Sequence, residues 1–114
     1  MKAIYKMNFN CGRQGSLQGT FVAKKEHVKI LVDNKIEVYF GEVLGKHSEV
    51  YGSIEPEEIE MVSDDEKTVE LFITNNLSSG YNPFEYPSIN FEHEGIDDIE
   101  DMELLKICEI ISNN

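Results

Sequence analysis

An alternating run of residues at the start of the chain constrains the fold more than any other feature of the sequence. From Lys2 to Phe9 every odd-numbered residue is apolar, and these residues are Ala3, Tyr5, Met7 and Phe9. A period of two predicts an amphipathic β-strand with one buried face. After a loop with two glycines, Leu17–Ala23 predicts a returning strand, antiparallel to the first.

The segment Lys24–Asp33 has two interpretations. The spacing of Val28, Leu31 and Val32 favours a short helix, whereas the alternation of Val28, Ile30 and Val32 would suit a hairpin. We adopt the helix because the residues around Lys24 are good helix formers. Further strands are predicted at 36–40, 49–53, 58–62 with Ile59 and Met61 inward, and 88–91 at an edge.

Two more helices are predicted in the second half of the chain. Ser63 and Glu66 have the spacing of a capping box, which predicts a helix to about Leu77, ending at Ser78–Gly80. Its expected buried stripe is Val69, Phe72, Ile73 and Leu77. A C-terminal helix is predicted over 97–111, and its wide apolar stripe would suit either the core or a homodimer interface.

These elements predict an α+β fold and a single domain over residues 1–114. The expected architecture is a mainly antiparallel sheet of five to six short strands, with two to three helices on one face. The apolar fraction of 40% and the charged fraction of 28% are close to those of ordinary globular domains.

Charge is distributed unevenly along the chain. Residues 1–48 contain eight Lys/Arg and four Asp/Glu, whereas residues 49–114 contain two Lys and eighteen Asp/Glu, for a net charge of −12 overall. Such a chain repels nucleic acid and anionic membranes and is attracted to basic surfaces. The residues expected to meet a basic protein partner are Glu55, Glu57, Glu58, Glu60, Asp64 and Asp65. The alternative is a surface that only maintains solubility.

A glycine-rich loop between two predicted strands is the first candidate ligand site. The run from Gly41 to Ser48 resembles a phosphate-binding loop, but one residue too few separates its glycines and His47 lies between Lys46 and the hydroxyl. Nucleotide hydrolysis is therefore not expected. A small binding site remains open, as does a long turn with no ligand. The candidate ligand-binding residues are Arg13, Gly41, Gly45, Lys46, His47, Ser48, Tyr81 and Asn82.

The aromatic segment Tyr81–Pro87 is the second candidate. Tyrosine and phenylalanine on a proline-stiffened loop offer contact area at a low cost in conformational entropy. The alternative is that Phe84 and Tyr86 fill the core. We identify no catalytic residue, no metal site and no cofactor, because the histidines and carboxylates match no established ligand spacing.

The cysteines and the hydropathy pattern point to the cytoplasm. Cys11 and Cys108 are expected to be a reduced pair, since a disulfide framework needs more cysteines. No apolar run reaches the ~20 residues that a membrane-spanning helix needs, and the first residues predict a strand rather than a signal peptide.

Two segments carry a resemblance, namely 40–50 (FGEVLGKHSEV) and 79–83 (SGYNP). They resemble short uncharacterised proteins encoded by phages, prophages and their bacterial hosts. The resemblance implies a setting rather than a chemistry, because small acidic phage proteins are often antagonists of host defence. These antagonists include anti-CRISPR proteins that occupy nucleic-acid grooves and sponges that sequester nucleotide signals.

The sequence leaves three hypotheses for the function. The first is a non-enzymatic binding protein that inhibits a basic, nucleic-acid-binding host protein. The second is a small-molecule binding protein, such as a nucleotide sponge, or an enzyme, that uses the glycine-rich loop with Arg13, Lys46, His47 and Tyr81. A structural protein with no partner beyond itself is a third.

Overall fold

The computed structural model describes residues 1–12, 15–43, 49–87 and 108–109. A long antiparallel hairpin forms from β1 (Lys2–Asn10) and β2 (Ser16–Lys24), which pair along their whole length. Its loop is closed by the backbone N–H of Cys11, which donates to the carbonyl oxygen of Gly15 at 2.8 Å. The two strands predicted from period-two alternation are therefore confirmed, together with their antiparallel pairing.

The remaining elements follow in chain order. They are α1 (Lys25–Asp33), β3 (Glu37–Gly41), β4 (Val50–Ser53), a 3₁₀ helix (Pro56–Glu58), β5 (Ile59–Ser63), α2 (Glu66–Thr74), β6 (Ser79–Gly80) and a second 3₁₀ helix (Pro83–Glu85). One sheet has the order β5-β1-β2-β6, and β3 and β4 form a second, two-stranded sheet. Every strand pair is antiparallel, so the predicted α+β class with a mainly antiparallel sheet is confirmed.

One face of the hairpin forms the main core. The alternating residues Ala3, Tyr5, Met7 and Phe9 are all buried there, beside Leu17 and Phe21 of β2. Helix α1 covers this face with Val28 and Leu31. Complete burial of a large apolar side chain is worth about 1.5–3 kcal/mol, so this face contributes much of the stability.

The two helices pack on opposite faces of the four-stranded sheet, which differs from the expectation of helices on one face. Ile4 and Val22 are paired across the β1–β2 ladder and point away from the main core. Val69 and Phe72 of α2 pack against them in a second, smaller cluster. On this otherwise polar face of the hairpin, the apolar pair Ile4 and Val22 provides the surface on which α2 packs.

Helix α1 resolves the ambiguity at Lys24–Asp33 in favour of the helix. Its C-terminus is a Schellman motif: the N–H of Ile36 donates to the Leu31 oxygen, and that of Lys35 donates to the Val32 oxygen, each at 3.2 Å. Lys35 has a φ of 50°, in the left-handed region. Leu31 and Ile36 occupy the two positions that typically form an apolar contact in this motif, and both are fully buried in the main core.

Helix α2 begins and ends differently from the prediction. Its N-cap is Asp65 rather than Ser63, and the Asp65 carboxylate accepts a hydrogen bond from the Thr68 N–H at 3.0 Å. The helix stops at Thr74, and Asn76 at a φ of 52° takes the left-handed position expected for Gly80. The expected four-residue stripe is wrong in its second half, since Ile73 and Leu77 are 51% and 53% exposed.

Strand β5 is also more exposed than predicted. Met61, expected to point inward, is 42% exposed because β5 lies at the edge of the sheet and, among the described residues, pairs only with β1. The strand predicted at 88–91 and most of the helix predicted at 97–111 lie outside the described residues. Cys108 and Glu109 are helical, and Cys108 is fully buried in the main core. Over the described ranges, no helix has the length and apolar character needed to span a membrane.

Candidate functional site

The acidic residues predicted to meet a partner lie on one continuous part of the fold. We define the acidic segment as residues 55–70, which comprise the first 3₁₀ helix, β5 and the first half of α2. It contains eight Asp/Glu and one Lys, for a net charge of −7. All eight carboxylates are exposed except that of Glu58, which is half-buried.

Part of this charge has a structural role within the chain. The Glu58 carboxylate accepts a hydrogen bond from the backbone N–H of Asn10 at 2.7 Å and from that of Glu55 at 2.9 Å. Glu55 in turn accepts from the Glu58 backbone, which completes a capping box around the first 3₁₀ helix. Glu55 and Glu58 therefore hold the start of the acidic segment against the end of β1.

Asp64 and Asp65 also have partners within the chain. The Lys25 ammonium donates to Asp64 at 2.5 Å, and this hydrogen bond and charge lower the pKa of the Asp64 carboxyl. Asp65 caps α2, and the hydrogen bonds from the Thr68 hydroxyl and backbone lower the pKa of its carboxyl. An exposed ion pair such as Lys25–Asp64 contributes little stability. It does fix the turn between β5 and α2 beside the start of α1.

The other four carboxylates of the acidic segment have no hydrogen bond or ion pair with any residue that the structure describes. They are Glu57, Glu60, Glu66 and Glu70, and all are exposed. These are the side chains most available to an external cation.

The fold places lysines beside the acidic segment, and their positive charges reduce its negative electrostatic potential. Lys6 on β1 lies directly opposite Glu60 on β5, and Lys25 binds Asp64. Lys2 lines a cavity of about 600 Å³ between β1 and α2, whose other lining residues are Met1, Asp64, Glu66, Val69, Glu70, Ile73 and Thr74. Three lysines from the first half of the chain therefore lie among the carboxylates of the acidic segment.

The structure describes only part of the candidate ligand site. Gly41 ends β3 with a φ of 82°, a conformation that glycine adopts without strain. Tyr81 and Asn82 follow β6 directly. Arg13, Gly45, Lys46, His47 and Ser48 lie outside the described residues, so their predicted roles stay predictions.

Aromatic contacts bring the two candidate segments together. Tyr81 meets the ring of Phe40 edge-on, with 6.3 Å between the ring centroids. The ring of Tyr86 lies closer to that of Phe40, with 4.8 Å between the centroids. Phe84 is buried against Phe21. Because Phe40 directly precedes Gly41, the aromatic segment packs beside the start of the glycine-rich loop. Phe84 thus fills the core, and the half-buried Tyr86 packs against the core. This agrees with the alternative in which these two aromatic residues fill the core and do not bind a ligand.

Asn82 has a structural role in this segment. Its side-chain oxygen accepts a hydrogen bond from the Phe84 N–H at 3.0 Å and caps the second 3₁₀ helix. Asn82 and Phe84 also line a cavity of about 460 Å³ with the buried His27. Burial is the main factor that lowers the pKa of His27, and the nearby Lys24 lowers it further.

A pair of glycines that sequence reasoning missed sets the position of the aromatic segment. Gly19 on β2 and Gly80 on β6 lie opposite each other, and the Tyr81 N–H donates to the Gln18 oxygen at 3.0 Å. A Cβ on Gly19 would lie 2.6 Å from the Tyr81 nitrogen and closer to its carbonyl oxygen. A glycine inside a strand is itself the signal, since it often marks a close backbone approach.

The part of the chain that the structure describes contains no group of three or more His, Cys, Asp or Glu residues placed to hold a metal ion. Comparison of the chain with protein-family profiles, curated proteins and solved structures gives no match.

Proposed function

We propose that the chain is a small, acidic, non-enzymatic binding protein of the phage or mobile-element type. In this proposal it inhibits a basic, nucleic-acid-binding host protein, such as a defence effector, by presenting carboxylates where that protein binds phosphates. The observation that carries the proposal is the acidic segment, in which four exposed carboxylates have no partner among the described residues.

The internal partners of the other carboxylates strengthen this proposal. Glu55, Glu58, Asp64 and Asp65 hold the segment in one conformation. A partner therefore meets a backbone that is already ordered beneath the unpartnered carboxylates, and less conformational entropy is lost on binding. Complementary charge acts mainly on the association rate and on specificity, and salt screens it over about 8 Å at physiological ionic strength.

Two matched triple variants test the proposal. Glu57→Gln, Glu60→Gln and Glu70→Gln remove three unpartnered charges of the acidic segment. Asp33→Asn, Glu42→Gln and Glu85→Gln remove three equally exposed charges elsewhere. We expect the first set to weaken binding to a basic partner by about tenfold and the second to change it little.

The measurement uses the full chain, immobilised and exposed to bacterial lysate at low and high salt. Captured proteins are identified by mass spectrometry and challenged with single-stranded DNA or RNA as competitors. The proposal expects nucleic-acid-binding proteins that elute with salt and are displaced by the competitor. Equal capture by both triple variants, or capture that nucleic acid does not affect, would show that the acidic segment is not the binding surface.

The alternative function, a nucleotide-binding protein or sponge, has one specific observation in its favour. The contact between Phe40 and Tyr81 places the aromatic segment beside the start of the glycine-rich loop. A ligand at 100 times its dissociation constant raises the free energy of unfolding by about 2.7 kcal/mol. A thermal-shift screen with nucleotides therefore separates the two functions: a specific shift favours the sponge, and its absence counts against it.

A further inference from the structure

Strand β5 forms one edge of the four-stranded sheet. Over the described ranges it pairs only with β1, and its outer side has no strand partner. Alternate residues of a strand direct their backbone N–H and C=O groups to opposite sides, so part of the Ile59–Ser63 backbone faces this edge. The opposite edge is β6, which has only two residues. β5 is therefore the longer of the two outermost strands of this sheet.

The side chains of β5 combine apolar and acidic character. Glu60, Met61 and Val62 are exposed in succession, with Met61 at 42% and Val62 at 57%. The ladder with β1 is irregular between Ile4 and Tyr5, where Val62 is the extra residue of a bulge. Bulges and charges on an edge disfavour indiscriminate pairing. An added strand would have to be selected by complementary side chains.

Charge identifies the chemistry of that strand. A second copy of this chain paired at β5 would bring two acidic segments together, each with a net charge of −7, and their repulsion opposes such a dimer. We propose that β5 instead receives an extended segment of a partner protein that alternates Lys or Arg with apolar residues. Its cations would lie beside Glu60 and the neighbouring carboxylates, while its apolar side chains cover Met61 and Val62. The inference rests on the proposed function, because it states how a basic partner is held.

The test uses the full chain and a synthetic peptide that alternates lysine and valine over the length of β5. Amide hydrogen exchange is measured with and without the peptide. We expect new protection at Ile59–Ser63 and no change in the β3–β4 hairpin. A matched peptide has the same sequence and charge but every backbone nitrogen methylated. It should bind about tenfold more weakly, because it cannot donate main-chain hydrogen bonds.

Two single variants test the position of the peptide. Val62→Lys adds a positive charge on β5, and Leu77→Lys adds the same charge at a similarly exposed residue that leads into β6, at the opposite edge. Val62→Lys should weaken binding of the unmethylated peptide severalfold, whereas Leu77→Lys should have little effect. Equal effects of the two variants would overturn the proposed position.

The outcomes separate this inference from the proposed function. If both peptides bind equally in a salt-sensitive manner and β5 gains no protection, strand addition is wrong while the acidic binding surface stands. If neither peptide binds at low salt, strand addition is wrong, and capture by the two triple variants decides the proposed function separately. Protection at β5 that depends on the peptide N–H groups supports strand addition.

Discussion

At the scale of single residues, Gly19 determines where the aromatic segment lies. The backbones of β2 and β6 approach so closely that a Cβ on Gly19 would overlap the Tyr81 backbone, which has no flexible end to move aside. Gly19→Ala should therefore reduce the free energy of unfolding by about 2–4 kcal/mol, by forcing β6 away and breaking the Tyr81–Gln18 hydrogen bond.

Denaturant unfolding measures this loss, and Gln18→Ala is the control because it alters an exposed neighbour while leaving its backbone oxygen in place. Hydrogen exchange at the Tyr81 amide provides an independent measurement, since this amide should lose protection in Gly19→Ala alone. A Gly19→Ala protein as stable as the control would mean that β6 does not approach β2 as closely as described.

At the scale of the elements, the C-terminus of α1 contains a strained residue. Lys35 occupies a left-handed conformation that costs an L-residue about 1–2 kcal/mol and that glycine adopts freely. We expect Lys35→Gly to increase the free energy of unfolding by about 1 kcal/mol relative to Lys35→Ala. Alanine keeps the Cβ and removes the charge, so this comparison isolates the backbone effect. A glycine variant less stable than the alanine variant would contradict the Schellman motif.

The same scale shows which elements were predictable and why. The β1–β2 hairpin was predictable because the local alternation of apolar residues in β1 indicates its buried face and the short loop that follows favours an antiparallel return, although the register comes only from the structure. The N-cap of α2 was not, since Ser63 and Asp65 both suit that position and only the path of the chain from β5 selects Asp65. Ile73 and Leu77 were assigned to the core because helical spacing cannot show how narrow the apolar partner surface is.

In the candidate sites too, local features were predictable from the sequence and features that depend on distant residues were not. The acidic segment was recognised because charge is a property of composition, and the structure shows which carboxylates already have partners. Glu58 could not be distinguished from Glu57 by sequence, because its role depends on a hydrogen bond from Asn10, 48 residues away. The interleaving of Lys6 and Lys25 with the acidic segment likewise depends on non-local pairing.

At the scale of the whole molecule, groups whose pKa values differ from their ordinary values limit stability on both sides of neutral pH. Burial lowers the pKa of His27 from its ordinary value of 6.5, so the unfolded chain binds more protons below that value. The free energy of unfolding should therefore decrease as pH falls through about 6.5. A second decrease should follow below about pH 4.5, where Glu26, Asp64 and Asp65 have lowered carboxyl pKa values.

His27→Gln is the control for the first decrease, because glutamine is polar but does not titrate. The pH dependence of the variant is compared with that of the wild type, so a uniform change in stability does not affect the conclusion. Lys24, Glu26 and Glu109 also act on His27, with Lys24 lowering its pKa and the two carboxylates raising it. If the wild type and His27→Gln lose stability in parallel between pH 7 and 5, His27 is not the titrating group.

At alkaline pH the free energy of unfolding should change in the opposite direction, decreasing as the pH rises. Burial and the nearby Glu109 raise the pKa of the Cys108 thiol to about 12, so the folded chain keeps a proton that the unfolded chain loses above its ordinary value of 9.0. The contribution of Cys108 to the free energy of unfolding should therefore be fully present below about pH 8.5 and decrease as the pH rises toward 12.

Cys108→Ala removes this titration and should flatten the alkaline decrease measured by denaturant unfolding under reducing conditions. Cys11 and three tyrosines also have raised pKa values, and their ionisation should cause a decrease that remains in the variant; the tyrosines are Tyr5, Tyr39 and Tyr86. An alkaline profile unchanged by Cys108→Ala would place that thiol in contact with water instead of in the core.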